Sequence, residues 1–186
     1  PTIIFNILII RSIKKWNEKE FPKKNQYLLF WYIVLGVLLV GIFFSNIHHI
    51  FMFTEKKSLI KIGKIDSVLS APLIGVFVII MNVFYIKYLR SKCASKNPIK
   101  KITSPIYTIS LIYSFIGVFA FILKKILVRD KLSELGKYKY ITFHIFFHYT
   151  TYVGILLLFL MYYLEKTELY NFVFNKSNCR SSPSKK

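Results

Sequence analysis

Four long stretches of this chain carry no charged side chain, and nothing else in the sequence constrains the fold as tightly. They are Asn25–Thr54, Ser67–Ile86, Ile102–Leu123 and Tyr140–Leu164. Crossing about 30 Å of hydrocarbon takes roughly 20 helical residues at 1.5 Å each, and every stretch reaches that length. Backbone N–H and C=O groups meet no water in lipid, so a crossing segment must pair them internally, as a helix does. With 54% hydrophobic residues and a mean hydropathy of +0.46, the 186-residue chain is too apolar for a soluble domain of its size.

The chain therefore reads as an all-α, polytopic transmembrane helix bundle. Full spans are expected at about 26–53, 67–88, 102–123 and 140–164, within one domain over 1–175, followed by a disordered basic tail over 176–186. Pro1–Ile10 is apolar but too short to cross. Arg11, Lys14 and Lys15 come after it, as they would after the exit of a helix. No basic region precedes this run and no small-residue cleavage site ends it, which disfavours a signal peptide. An interfacial anchor also fits. The preferred reading is the tail of a first crossing, since the chain opens without a methionine.

A net charge of +19 invites a nucleic-acid reading. That is rejected, because the basic residues sit between the apolar runs as membrane-flanking loops. Of the 27 Lys and Arg, 17 fall in residues 11–24, residues 87–101 and the residues after Leu164. Cytosolic loops are enriched in these residues, so this end and the C-terminus are expected in the cytosol, in an endomembrane or plasma membrane. Both cysteines, Cys93 and Cys179, fall on that side, where disulfides are rare. Free thiols are expected there, with Cys93 a candidate for palmitoylation.

The histidines carry the functional signal. His48 and His49 lie near the end of the first charge-free run, and His144 and His148 near the start of the fourth. When runs alternate direction, those two ends fall on one side of the membrane. Imidazole in hydrocarbon is costly without a partner, so such residues are functional candidates by default. His144 and His148 are four apart and share a helix face, a spacing that offers two nitrogens to one metal ion. The bland alternative is a pair bonded to neighbouring helices. Thr151 continues the stripe, and Gly154 thins the adjacent face for close helix packing. Ser45 and His49 are likewise four apart, while His48 points about 100° away; His49 is therefore preferred. Asp66 opens the second run at the same end, where a plain N-cap is the bland reading.

The Ser45-x-x-x-His49 element, the Asp66-x-x-x-Ser70 element, and His144-Ile-Phe-Phe-His148 with Thr151 and Gly154 behind it resemble a superfamily of zinc-containing membrane proteins. It includes the alkaline ceramidases, adiponectin-type receptors, GPI-remodelling proteins and myomaker-like proteins. The resemblance covers three short elements. It implies a helical bundle of seven crossings holding one zinc ion, and several members hydrolyse lipid amides or esters. Two crossings between Asp66 and His144 are absent here, an even number that keeps both histidine elements at one end. For this chain the resemblance implies Zn2+ held by His49, His144 and His148, with Asp66 and Ser45 around the attacking water.

The leading expectation is thus an integral membrane zinc-dependent hydrolase of a lipid amide or ester. A second is a non-enzymatic relative in which zinc braces the bundle and the outer surface mediates membrane remodelling or fusion. A third is a small subunit of a larger membrane complex, its histidines structural or on haem, a scheme that gives Ser45 and Asp66 no role. The implied partners are membrane lipids. A homo-oligomer or larger membrane complex would close a pocket built from so few helices.

Overall fold

Charge-free runs become helices, and the helices outrun them. The computed structural model describes residues 2–51, 71–127 and 133–175, and all regular structure among them is α-helical. The elements are α1 (Thr2–Lys14), α2 (Lys24–Phe51), α3 (Ala71–Leu89), α4 (Lys92–Lys96), α5 (Lys100–Leu127), α6 (Glu134–Leu164) and α7 (Lys166–Phe174). Three stretches, Lys24–Ile47, Lys100–Leu127 and Glu134–Leu164, are long and apolar enough to cross a membrane; Gly75–Leu89 in α3 is a shorter apolar helix. α5 runs on through Lys124 and Lys125, and α6 begins at Glu134, ahead of the uncharged Tyr140. Charge marks where a helix leaves hydrocarbon and does not end the helix. Lys and Glu are good helix formers, and a lysine stem lies along apolar surface while its head reaches outward.

The described helices group into two compact units. One takes in residues 1–2 and 99–164 and is built on α5 and α6, packed antiparallel. Its contacts run in opposite order along the two helices: Ser110 against Gly154, Gly117 against Thr150 and Thr151, Phe121 against Phe147. The seam is polar and small, with Thr103, Ser110, Gly117 and Lys124 buried at seven-residue intervals along α5. Ser110 Oγ donates to the Gly154 carbonyl at 2.7 Å, and Thr150 Oγ1 to the Phe146 carbonyl of its own helix at 2.9 Å. Outward faces are apolar, as at Phe115 and Phe119, 72% and 61% exposed. Lipid is as apolar as leucine, so the association of such helices rests on close packing and bonds between helices.

A Cβ added at Gly154 would lie 2.6 Å from Ser114 Oγ, 3.0 Å from the Ser110 carbonyl oxygen and 3.1 Å from the Ser114 nitrogen. Two of those three are backbone atoms that cannot swing aside.

The other unit comprises residues 3–98 and the segment from Glu165 onward. Its α7 packs Tyr170 against Trp16 and Phe21, with ring centroids 5.5 and 5.1 Å apart, and the Tyr170 hydroxyl accepts the Lys23 backbone N–H at 2.9 Å. Phe172 lies against Phe84 and Tyr88 of α3. Glu165 is 1% exposed, and Tyr85 donates its hydroxyl to Glu165 Oε2 at 3.1 Å. A buried carboxylate needs such a donor, since burial without one costs more than the bond returns. Glu168 is held above the usual carboxylate range by burial and then by the charge of Glu165. Cys93 is buried and disulfide-bonded, not the free thiol expected, so it offers no acylation site; Cys179 lies outside the described residues.

Two outcomes follow for stability. Gly154→Ala should cost about 1–3 kcal/mol through overpacking, read as a lowered thermal midpoint in detergent. Gly36→Ala, whose Cβ would meet nothing within 4 Å, should be neutral or slightly stabilising; equal effects would contradict the packing of α5 on α6. Separately, a carboxyl whose folded value is raised subtracts stability while ionised and stops doing so once protonated. Glu168→Gln should therefore raise the thermal midpoint at neutral pH, by a margin that shrinks as pH falls through the raised value. A margin that instead widens on acidification would contradict this.

Candidate functional site

α6 carries a column of four rings at four-residue spacing: Tyr140, His144, His148 and Tyr152. Tyr140 stacks on His144 with centroids 5.2 Å apart and planes at 21°, and His148 on Tyr152 at 5.7 Å and 22°. The two imidazoles meet edge to face, 4.4 Å apart at 88°. This geometry brings His148 Nε2 within 3.1 Å of His144 Nε2. His144 is buried at 6% exposure and His148 is half-buried. α6 begins ten residues before His144, so the pair sits about 15 Å along the helix, deeper from its start than the charge-free run alone implies.

Lys124 completes the cluster from α5. It is 8% exposed, and its Nζ lies 3.0 Å from His144 Nδ1. Three ring faces surround that nitrogen, with centroids 4.9 Å away for Tyr140, 5.0 Å for Phe121 and 5.7 Å for Phe147. A cation over aromatic faces is stabilised by the ring quadrupole, more so when desolvated.

Two hydrogen arrangements fit these distances. An ammonium has three donors and no acceptor, so it donates to His144 Nδ1; His144 then carries its hydrogen on Nε2 and donates to His148 Nε2. Alternatively, a neutral Lys124 amine accepts from Nδ1–H of His144, so that His144 Nε2, like Nε2 of His148 in its Nδ1–H form, carries no hydrogen. The first arrangement is a continuous hydrogen-bonded chain. The second is a two-nitrogen clamp for a cation, with the outer ring nitrogen of His144 held from behind as ligating histidines commonly are.

Of the residues the sequence singled out, His144 and His148 come together. Ser45 is half-buried in α2, in the other unit, and is itself engaged in an interaction. The backbone at His48 and His49 belongs to α2, but their side chains, like all of Asp66, lie outside the described residues. Among the described residues no three His, Cys, Asp or Glu side chains cluster as metal ligands do. Lys124 stands immediately after the charge-free run Ile102–Leu123, where a charged residue reads as loop. The seven-residue repeat Thr103, Ser110, Gly117, Lys124 was the signal that put it on the buried seam.

Comparison with family models, curated proteins and solved structures finds no match to the chain.

The ammonium arrangement, which the aromatic surround favours, gives a direct expectation. In metal-free protein, nitrogen-15 NMR should find His144 in the Nε2–H form and His148 in the Nδ1–H form. Lys124→Met should abolish that preference at His144. A His144 signal of the Nδ1–H form in the unaltered chain would mean that Lys124 accepts instead of donating.

Proposed function

We propose that this chain is an integral membrane protein in which His144 and His148 supply two nitrogens to a zinc ion, and that it hydrolyses a lipid amide or ester. What carries the proposal is the 3.1 Å separation of the two Nε2 atoms. Zinc–nitrogen bonds of about 2.0–2.1 Å at tetrahedral angles set two ligand nitrogens roughly 3.3 Å apart, so the pair is spaced as shared ligands are. The fit requires the arrangement in which neither Nε2 carries a hydrogen.

His49 is proposed as the third ligand, and Asp66 and Ser45 as the groups around the reacting water, on the sequence pattern and the resemblance. Zinc, when bound, supplies a Lewis acid and a water that ionises near neutral pH. Asp66 would orient that water and take its proton as the water oxygen bonds to the substrate carbonyl carbon, and the Ser45 hydroxyl would donate to the developing oxyanion. Asp66 would then return the proton to the departing amine or alcohol as the acyl–N or acyl–O bond breaks. The apolar outer faces of the helices would lie along the acyl chain.

We further propose that α3 makes a fourth crossing beside the three long apolar helices, and that the basic turns face the cytosol. The Lys and Arg excess of those turns supports that side, and the Cys93 disulfide, of a kind rare in the cytosol, is the one observation against it.

A second reading has its own support. The aromatic surround of Lys124 suits an ammonium, and a bonded Lys124–His144–His148 chain inside a membrane hairpin would relay protons.

Metal content separates the two. Purified protein should hold stoichiometric zinc and show no Soret band, and a chelator or acidification should strip the metal, since its ligands must be unprotonated. Lipid acyl release should vanish in His148→Ala and fall roughly a hundred- to ten-thousand-fold in Asp66→Asn, with helicity retained in both. Zinc without hydrolysis of any lipid class leaves zinc as a brace for the bundle. Folded protein without zinc, acidifying the interior of a proteoliposome, would replace the hydrolase with the relay.

A further inference from the structure

We propose that the end of the second unit gathered around α7 is a binding surface for anionic phospholipid headgroups. The surface is independent of the histidine cluster, which lies in the α5–α6 unit.

Two basic segments far apart in sequence flank the same short helix. Tyr170 holds the turn between α1 and α2 through Trp16, Phe21 and the Lys23 N–H, while Phe172 holds the end of α3 through Phe84 and Tyr88. Around the first contact, Arg11, Lys14, Lys15, Lys19 and Lys23 are exposed; beyond the second, Lys87, Arg90 and Lys92 are exposed.

Little opposes that charge. The exposed carboxylates of these segments are Glu18 and Glu20, and Glu18 is already paired with Lys24 at 3.4 Å. Lys24 is itself turned inward, donating to the Trp16 carbonyl at 3.0 Å, and adds nothing to the outer field. Glu165 is buried beneath Tyr85.

The depth of the patch identifies its partner. The apolar span of α2 begins at Lys24 and that of α3 ends at Leu89, so Lys19 and Lys23 come just before the one, Arg90 and Lys92 just after the other, and Lys87 within the last turn of α3. Trp16 and Tyr170 lie at the same level, where amphipathic rings favour the membrane–water boundary. Lys14 Nζ lies 5.6 Å over the Tyr32 ring of α2, about two turns inside that boundary. Cations fixed at that level lie within a Debye length of lipid phosphates, where each Lys or Arg adds a modest attraction to anionic headgroups. A nucleic-acid duplex carries the same phosphate chemistry but would have to approach cations held in the plane of the bilayer surface.

The test uses the full chain in nanodiscs of phosphatidylcholine containing phosphatidylglycerol, with the lipids that stay bound on detergent extraction measured by mass spectrometry. Phosphatidylglycerol should be enriched several-fold over its share of the bilayer, and the enrichment should shrink as salt is raised. In the combined variant Lys14→Gln, Lys15→Gln, Lys19→Gln it should fall toward unity. Lys137→Gln with Lys139→Gln, in the other unit, should leave it unchanged. If the triple variant fails to fold, the salt dependence of the unaltered chain decides. Bound lipid that mirrors the bilayer composition, enrichment that survives the triple variant, or retention of a DNA or RNA duplex in place of lipid would each overturn the proposal. Zinc content has no bearing on any of these outcomes.

Discussion

Everything in the α5–α6 hairpin depends on how closely the two helices approach at Gly154. Helices in hydrocarbon gain little from pressing one apolar face on another, and stay together where small residues let backbones touch and polar groups bond across. Here Ser110 reaches the Gly154 carbonyl, and Gly117 admits Thr150 and Thr151. That approach fixes the register, and the register delivers Lys124 to His144. Sliding one helix by a turn would move Lys124 about 5.4 Å, beyond reach of the ring it bonds.

The cluster that results is unusual for its inward-facing basicity. A lysine and two imidazoles share a partly buried site, with aromatic rings packed against them. Hydrogen placement on His144 Nδ1 decides what the site can do. Donation from Lys124 closes a chain of bonds, while acceptance by Lys124 opens two nitrogens toward a cation. The same three side chains therefore support either proton movement or metal ligation, and not both at once.

How much was legible in the sequence follows from what charge can and cannot report. Long uncharged runs located the apolar helices, because hydrocarbon excludes unpaired charge. They did not locate the helix ends, because Lys100, Lys124 and Glu134 are compatible with helix and simply stand at or beyond the boundary. The His144–His148 face was legible from spacing alone, since four residues is about one turn. Lys124 was not, because a charge beside Lys125 reads as loop; only its place in the repeat from Thr103 marked it as inward. The α7 anchor was equally hidden. Its mixed composition, four polar residues among nine, gave no hint that Tyr170 and Phe172 would hold two distant basic turns to one end.

X-ray absorption at the zinc edge, on the purified full chain, addresses the central claim most directly. The account predicts a first shell containing at least two imidazole nitrogens at about 2.0–2.1 Å, reduced by one in His148→Ala. A shell of oxygen or sulfur without imidazole, or protein that folds and holds no zinc, would contradict it.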